Sequence, residues 1–341
     1  MNTLVEIPYV DLRDRSLVDL LRQRPDSARA LVNATRNMFG AASRIASTVA
    51  LPLGDRASLA WLRRNNNVYL SEIHAFADIL GVDGVYALNI CFEWGCTSGA
   101  FALEEGVVLR RILDWAFPAL GENIVVAHQN GVAGEFYNVT WPGMSGIYQA
   151  SAPSRFAAAI NQAPMRKHGR GVALDWAHNR VLTRDETGLP PAHLLRQVFE
   201  QAPDYATARA MLCETRIAVP AIFILSGIAV DQGCVIERVE NDFAVREISV
   251  LHERVCAANH FETRLNDLGA GWLARSGDSP ERFRCASDID KHKLTNAFDW
   301  FVPPMANSKS RLVMNANART GAISVMGTAG EKTVTACFSR S

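Results

Sequence analysis

The stretch Gly95-Cys96-Thr97-Ser98-Gly99-Ala100-Phe101-Ala102-Leu103, then Glu104-Glu105-Gly106, then VVLRRILDW (107–115), decides how this chain folds. Two runs of small, β-branched and aromatic side chains flank a short charged turn, which predicts a β-hairpin. With a three-residue loop centred on Glu105, Cys96 lies opposite Asp114, because each is nine positions from 105. Cross-strand neighbours share a face, with Cβ atoms about 5 Å apart. Arg111 stands three residues before Asp114, so an ideal strand turns it to the other face. A bulge or a strong twist would then be needed to bring both charges to one site. The cysteine opens its strand directly after a glycine and is followed by small polar residues. Taken alone, such a cysteine reads as a buried structural thiol.

Upstream of the hairpin the pattern is helical. Leu17, Leu20 and Leu21 form one stripe within 16–24, and Pro25 ends it. Asp26 caps a run over 27–50 that stops before Pro52, and two more helices follow over 55–64 and 69–80, the last closed by Gly81. VYALNICF (85–92) reads as the first strand. Downstream, 124–129 and 134–141 extend the sheet, and MRKHGRG (165–171) is a basic, glycine-rich loop. Helices are expected at 191–200 and 204–213, the second capped by Asp204. Strands resume at AIFILSG, GCVIERV, FAVREISVLHE and RVCAAN. After a loop over 266–278, a helical stretch at 280–298 precedes closing strands SRLVMNA, GAISVMGT and KTVTACF. This order suits a layered α+β domain.

Composition narrows the function. The 341 residues carry 35 basic and 35 acidic side chains, which gives no basic field for nucleic acid and no polybasic membrane tether. The most apolar stretch, 218–230, contains Pro220 and Gly227 and is too short to span a bilayer. The first residues lack the basic and apolar regions of a signal peptide. Seven cysteines show no C-x-x-C spacing, and eight histidines show no metal-ligand spacing. A reduced, cytoplasmic protein with no metal or other cofactor is expected, and homo-oligomer formation stays open. GTAGEKT (327–333) misses the phosphate-loop spacing and reads as a hairpin turn. Asn33 and Asn138 fit the glycosylation pattern, without weight absent secretion.

Four motifs change the reading of Cys96. Gly95-Cys96-Thr97-Ser98 with Arg111-x-x-Asp114 resembles the nucleophile region of the N-terminal-nucleophile (Ntn) cysteine amidases. These are the choloylglycine hydrolases, the acid ceramidase and N-acylethanolamine amidase group, and the isopenicillin acyltransferases. Ala257-Ala258-Asn259-His260-Phe261 resembles their T-N-H-F segment, with Ala258 in place of threonine. Asp278-Ser279-Pro280-Glu281-Arg282 resembles their D-S-x-x-R, with Arg284 as the alternative arginine. IFILSGIAVDQGCVIERV resembles the paired strands between nucleophile and asparagine. Ser145, in GMSGI, stands about where bile-salt hydrolases place a second oxyanion asparagine. The likeness covers roughly residues 70–341.

The resemblance implies a four-layer αββα sandwich, two mainly antiparallel sheets between helical layers. It implies a zymogen that cleaves itself at Gly95-Cys96, with residues 1–95 a helical pro-region or α-chain packed on a catalytic core, 96–341. Thiol attack on the preceding carbonyl would leave Cys96 with a free α-amine. That amine has a pKa of about 7.7–8, so it can take the thiol proton without a histidine. The implied activity is hydrolysis of a linear, non-peptide C–N bond in a small N-acyl compound, through a Cys96 thioester. Asn259 would donate to the oxyanion, Asp114 would hold the ammonium, and Arg111 and Arg282 would neutralise Asp114 and lower the thiol pKa. Tyr137, Trp141, Met144 and Tyr148 are candidates for the acyl-pocket wall or for core packing. Acyl transfer to an amine is the nearest variant. A papain-type hydrolase pairing Cys96 with His252 or His260, and a non-cleaving binding member of the fold, are the rivals.

Overall fold

The computed structural model describes residues 4–37, 40–91, 94–274 and 276–341. Two sheets are stacked at its centre. One has eight strands in the order Tyr9–Asp11, Val125–Gly131, Gly134–Thr140, Gln149–Ala152, Phe156–Gln162, Ala221–Ser226, Gly233–Arg238 and Phe243–Glu247. The other runs Arg254–Ala257, Gly95–Leu103, Gly106–Asp114, Ser310–Asn317, Ile323–Ala329 and Lys332–Thr333, with Phe338–Arg340 also on Ile323–Ala329. Pairing is antiparallel except where Tyr9–Asp11 joins Val125–Gly131 in parallel. The Gly95–Leu103 strand lies over Phe156–Gln162 and Ala221–Ser226. Ala100, Leu109, Leu113, Ile160, Ile224 and Met314 belong to the continuous apolar core.

Helices cover both outer faces. Pro191–Gln201 and Tyr205–Glu214 sit on the eight-stranded sheet, where Phe199 packs against Phe156 and Phe136. Ser279–Asp288 covers the other sheet, and Ala286, Ile289, Leu294 and Trp300 meet Phe101, Ile112 and Val313. The expected four-layer αββα sandwich is therefore the observed one. None of the described helices is long and apolar enough to cross a membrane.

The N-terminal part is helical, as expected, with three corrections. Pro25 starts the helix Pro25–Asn37 rather than only ending the one before, since its missing N–H is an orphan in a first turn anyway. The next helix, Gly40–Arg64, runs through Pro52 instead of stopping there. Its later half is held by the buried Trp61 and Leu62, which offsets the one lost backbone bond. The third correction is at 85–92, where Val85–Asn89 is a helix and not a strand. The carboxylate of Asp55 accepts the Gly84 N–H at 2.7 Å and the Ala87 N–H at 2.9 Å. A cap from a distant helix thus overrides the local β preference. Phe92 lies outside the described residues. Leu17–Gln23 and Leu70–Leu80 form as read, with a capping box at Ser16 and Gly81 in the left-handed conformation. The turn at 330–331 also forms as read, between Ala329 and Lys332.

These helices are tied to the core by a buried polar chain. Asn67 Nδ2 donates to His193 Nδ1 at 2.9 Å, so the imidazole proton sits on Nε2. Nε2–H then donates to Ser145 Oγ at 2.8 Å, and Ser145 Oγ–H donates to Asn89 Oδ1 at 2.9 Å. The histidine thus donates to the serine, opposite to what a serine nucleophile needs. Arg196 adds contacts to Glu72, Glu200 and Ser145 O, and lies over the Tyr69 ring.

Burial, reinforced by Arg196, pulls the His193 pKa down to about 3, against about 6.5 for an exposed histidine. The unfolded chain therefore binds a proton that the folded chain refuses. Stability from this group is complete above about pH 6.5 and is lost as pH falls toward 3. We expect the urea midpoint to drop from pH 7 to pH 4 more steeply in the wild type than in His193→Gln. Equal slopes would show that His193 does not carry this dependence.

Candidate active site

The hairpin turn is two residues long, Glu104-Glu105, because Leu103 pairs with Gly106. The register therefore differs by one from the three-residue expectation. Cys96 pairs with Leu113, Gly95 with Asp114, and Ser98 with Arg111. A one-residue slip exchanges faces. Arg111 shares the face of Cys96, and Asp114 lies under Gly95 on the other face, with no bulge in this pair. Space favours glycine at 95: a Cβ there would sit 3.2 Å from Asp114 Cβ, a tight contact that Asp114 would have to yield to. Its φ is not positive, so close packing and not backbone strain selects it.

Asn259 reaches the cysteine by register. Arg254–Ala257 pairs with the cysteine strand, with Ala257 opposite Ser98, so two residues further along Asn259 stands level with Cys96. Its Oδ1 accepts the Cys96 N–H at 2.9 Å and Arg282 Nη2 at 2.8 Å. Its Nδ2 donates to Gln162 O at 2.9 Å, and its own N–H donates to Ser279 Oγ at 2.8 Å. Arg282 comes from the first turn of Ser279–Asp288 and is 1% exposed. It also donates to the Cys96 carbonyl and, at 2.9 Å, to Thr97 Oγ1, and lies 3.6 Å from Asp114 Oδ2. Arg284 is exposed and donates to Pro280 O in its own helix. The five expected residues Cys96, Arg111, Asp114, Asn259 and Arg282 thus gather at one place.

Sequence reading missed two neighbours. Asn161 Oδ1 accepts Ser98 Oγ at 2.7 Å and an Arg111 N–H, while its Nδ2 donates to Ala257 O and Ala258 O. Gln162 Oε1 accepts the Trp94 N–H at 2.8 Å. The available signal was the run FAAAINQ, where two amides end an otherwise apolar strand. Ser145, expected near the oxyanion, lies instead in the His193 chain. Trp141, Met144 and Tyr148 are buried in the core, and Tyr137 packs on His128; none of the four lines either of two cavities among the described residues. A cavity of about 120 Å³ instead opens beyond Gln162, between Met165, Arg166, Trp176, Pro220 and Glu240. His252 lies on an exposed turn, and His260 bonds Ser279 Oγ and Glu262. With Cys96 on a strand and no histidine bonded to it among the described contacts, the papain arrangement is not the observed one.

Cys96 is fully buried, with Sγ 3.9 Å from Ile160 O. Burial pushes its thiol up to about 11, and the nearby Asp114 charge adds to this. Arg111, the Gln162 N–H and Arg282 oppose the rise. Burial also raises the Asp114 carboxyl, against the pull of Arg282 and the 2.7 Å hydrogen bond from Ser310 Oγ. Among the described residues, Arg111 Nε and Nη2 and Asp114 Oδ2 have no hydrogen-bond partner. The centre therefore holds a protonated thiol beside unspent donors and an unspent acceptor.

No family model matches the chain. It is 24% identical over 245 residues to the acid ceramidase of Heterocephalus glaber, covering 66% of this chain and 60% of that protein. It is 25% identical over 258 residues to the acid ceramidase of Mus musculus, covering 69% and 64%. The match thus spans under two thirds of these curated relatives. Among solved structures, a Caenorhabditis elegans N-acylethanolamine-hydrolyzing acid amidase ortholog superposes at TM-score 0.46 and 15% identity, covering 66% of this chain and 93% of that one. A mutant of the conjugated bile acid hydrolase from Clostridium perfringens gives 0.41 and 11%, covering 72% and 96%.

A pKa near 11 instead of 9 leaves about a hundredfold less thiolate at neutral pH, and burial blocks access as well. In the uncut chain, iodoacetamide should label the exposed Cys337 at least about a hundredfold faster than Cys96. Comparable rates would contradict this environment.

Proposed function

We propose that this chain is an Ntn-type cysteine amidase that cuts itself between Gly95 and Cys96. It then hydrolyses a linear, non-peptide amide of an N-acyl compound. The observation that carries the reading is the hold on the Cys96 N–H by Asn259 Oδ1, itself fixed by Arg282. A structural thiol needs no such grip on its main chain. The sequence similarity to acid ceramidases supports the same reading.

Self-cleavage begins when Cys96 Sγ attacks the Gly95 carbonyl carbon. The S–C bond forms, the C–N bond breaks, and the thiol proton ends on the Cys96 nitrogen. Water then hydrolyses the thioester to a Gly95 carboxylate, a free thiol and a free α-amine. That amine becomes the base: it takes the thiol proton as sulfur attacks a substrate carbonyl, and passes it to the leaving amine. Asp114 Oδ2, which lies 3.6 Å from Arg282 Nη1 and takes no hydrogen bond among the described residues, is the acceptor that can orient the new ammonium. Arg111 and Arg282 hold the site's charge near balance. Asn259 Nδ2 is committed to Gln162 O before cleavage, so its use as an oxyanion donor requires a local shift once the bond is cut.

In this reading residues 1–95 stay on the core as the α-chain, because Tyr9–Asp11 is a sheet strand and Asn67 is part of the His193 chain. The buried Cys96 is the state of the uncut precursor. Seven free thiols suit a reducing, cytoplasmic setting.

Intact mass of the purified protein tests this directly. We expect fragments of residues 1–95 and 96–341, a single whole chain in Cys96→Ala, and N-acyl amide turnover only from the split form. Asn259→Ala should lower that turnover by about 10²–10³. A whole chain that turns over amides at full rate would overturn the mechanism. Acyl transfer instead of hydrolysis would appear as the hydroxamate when hydroxylamine is the acceptor.

A further inference from the structure

We propose that Gln162 holds the scissile segment in register for self-cleavage, an inference that rests on reading Gly95-Cys96 as the cut bond. Three contacts from this one residue converge there. Its Oε1 accepts the Trp94 N–H at 2.8 Å. Its main-chain carbonyl accepts Asn259 Nδ2 at 2.9 Å. Its main chain also faces the Cys96 sulfur, where it opposes the rise of the thiol pKa. The peptide before the cut, the nucleophile, and the side chain gripping the Cys96 N–H therefore share one anchor.

The anchor matters because nothing at 95 can replace it. Gly95 has no side chain, and it pairs at the last position of its ladder, opposite Asp114. The Trp94 ring is wedged between Trp115 and Tyr148, at centroid distances of 5.5 and 5.1 Å. Ring packing fixes where the Trp94 side chain sits, whereas the hydrogen bond to Oε1 fixes its main chain, two peptide planes before the scissile Gly95 carbonyl. Attack on a carbonyl requires the reacting atoms about 3–3.5 Å apart with orbitals aligned, so the placement of the segment that carries that carbonyl matters. Gln162 is a positioning residue here: it takes and gives no proton, while the S–C bond forms, the C–N bond breaks and the proton goes to the Cys96 nitrogen.

Only the acceptor end of the side-chain amide is used. Nε2 is buried and has no hydrogen-bond partner among the described residues, and Gln162 is 5% exposed at the edge of the 120 Å³ cavity. The requirement at 162 is thus for an oxygen acceptor of this length, which glutamate retains, even protonated, and methionine lacks.

The experiment follows cleavage by intact mass after synthesis, for the wild type, Gln162→Met and Gln162→Glu. Positioning predicts cleavage slowed about tenfold in Gln162→Met, the size of one lost hydrogen bond. It predicts Gln162→Glu within about threefold of the wild type. A packing role predicts the opposite order, because methionine keeps the volume and glutamate buries an acid. A second readout is independent of activity and is taken in the uncut Cys96→Ala background. There, hydrogen exchange of the Trp94 amide should be protected, and Gln162→Met should remove that protection. Cleavage of Gln162→Met at the wild-type rate, or retained protection, overturns the inference while leaving the amidase reading intact. A wild type that never splits overturns both.

Discussion

The centre depends on one shared acceptor. Asn259 Oδ1 takes a hydrogen bond from the Cys96 main chain and a second from Arg282. It thereby joins the cysteine strand to the neighbouring strand and to the helix on the outer face. Arg282 is fully surrounded, yet its guanidinium spans the Cys96 carbonyl, Thr97, Ser276, Asn259 and the Asp114 carboxylate. A buried cation is costly unless its donors are used and a counter-charge is near. Here both Nη groups are used and the Asp114 carboxylate is near, all around a single peptide bond. Electrostatic balance and the aim of that bond are therefore one constraint.

Much of this was legible in the sequence. Asn259 and Arg282 each sit within a short motif that resembles the Ntn cysteine amidases, and that resemblance is what points to them. Ladder register and the first turn of a helix explain how the fold brings them to Cys96. The hairpin itself was legible because alternation and turn chemistry are local. Its register was not, since two- and three-residue loops fit the same letters, and one residue decides which face carries Arg111 and which Asp114.

The unread parts have long-range causes. The Phe156–Gln162 strand is rich in alanine, a poor strand former, and is buried along its length between neighbouring strands and the opposite sheet. Burial makes it a strand, and burial is invisible one residue at a time. That strand supplies Asn161 and Gln162, so the overlooked polar neighbours and the overlooked element are the same omission. Likewise Val85–Asn89 becomes helical through a carboxylate thirty residues away in the chain. Ser145 drew attention by position, but its hydroxyl is held in a hydrogen-bond chain that points the wrong way for chemistry.

The parallel strand Tyr9–Asp11 has a consequence for the life of the molecule. While the chain is whole, its pairing with Val125–Gly131 is intramolecular, and the two strands face each other at the high effective concentration of a tether. If the chain is cut at Gly95-Cys96 as proposed, the same ladder would become an interface between two polypeptides. It would then be governed by mass action, so dilution would weaken it and unfolding would separate the pieces. The cut molecule would inherit a sheet that it could not readily rebuild, and its durability would become a matter of how slowly it comes apart.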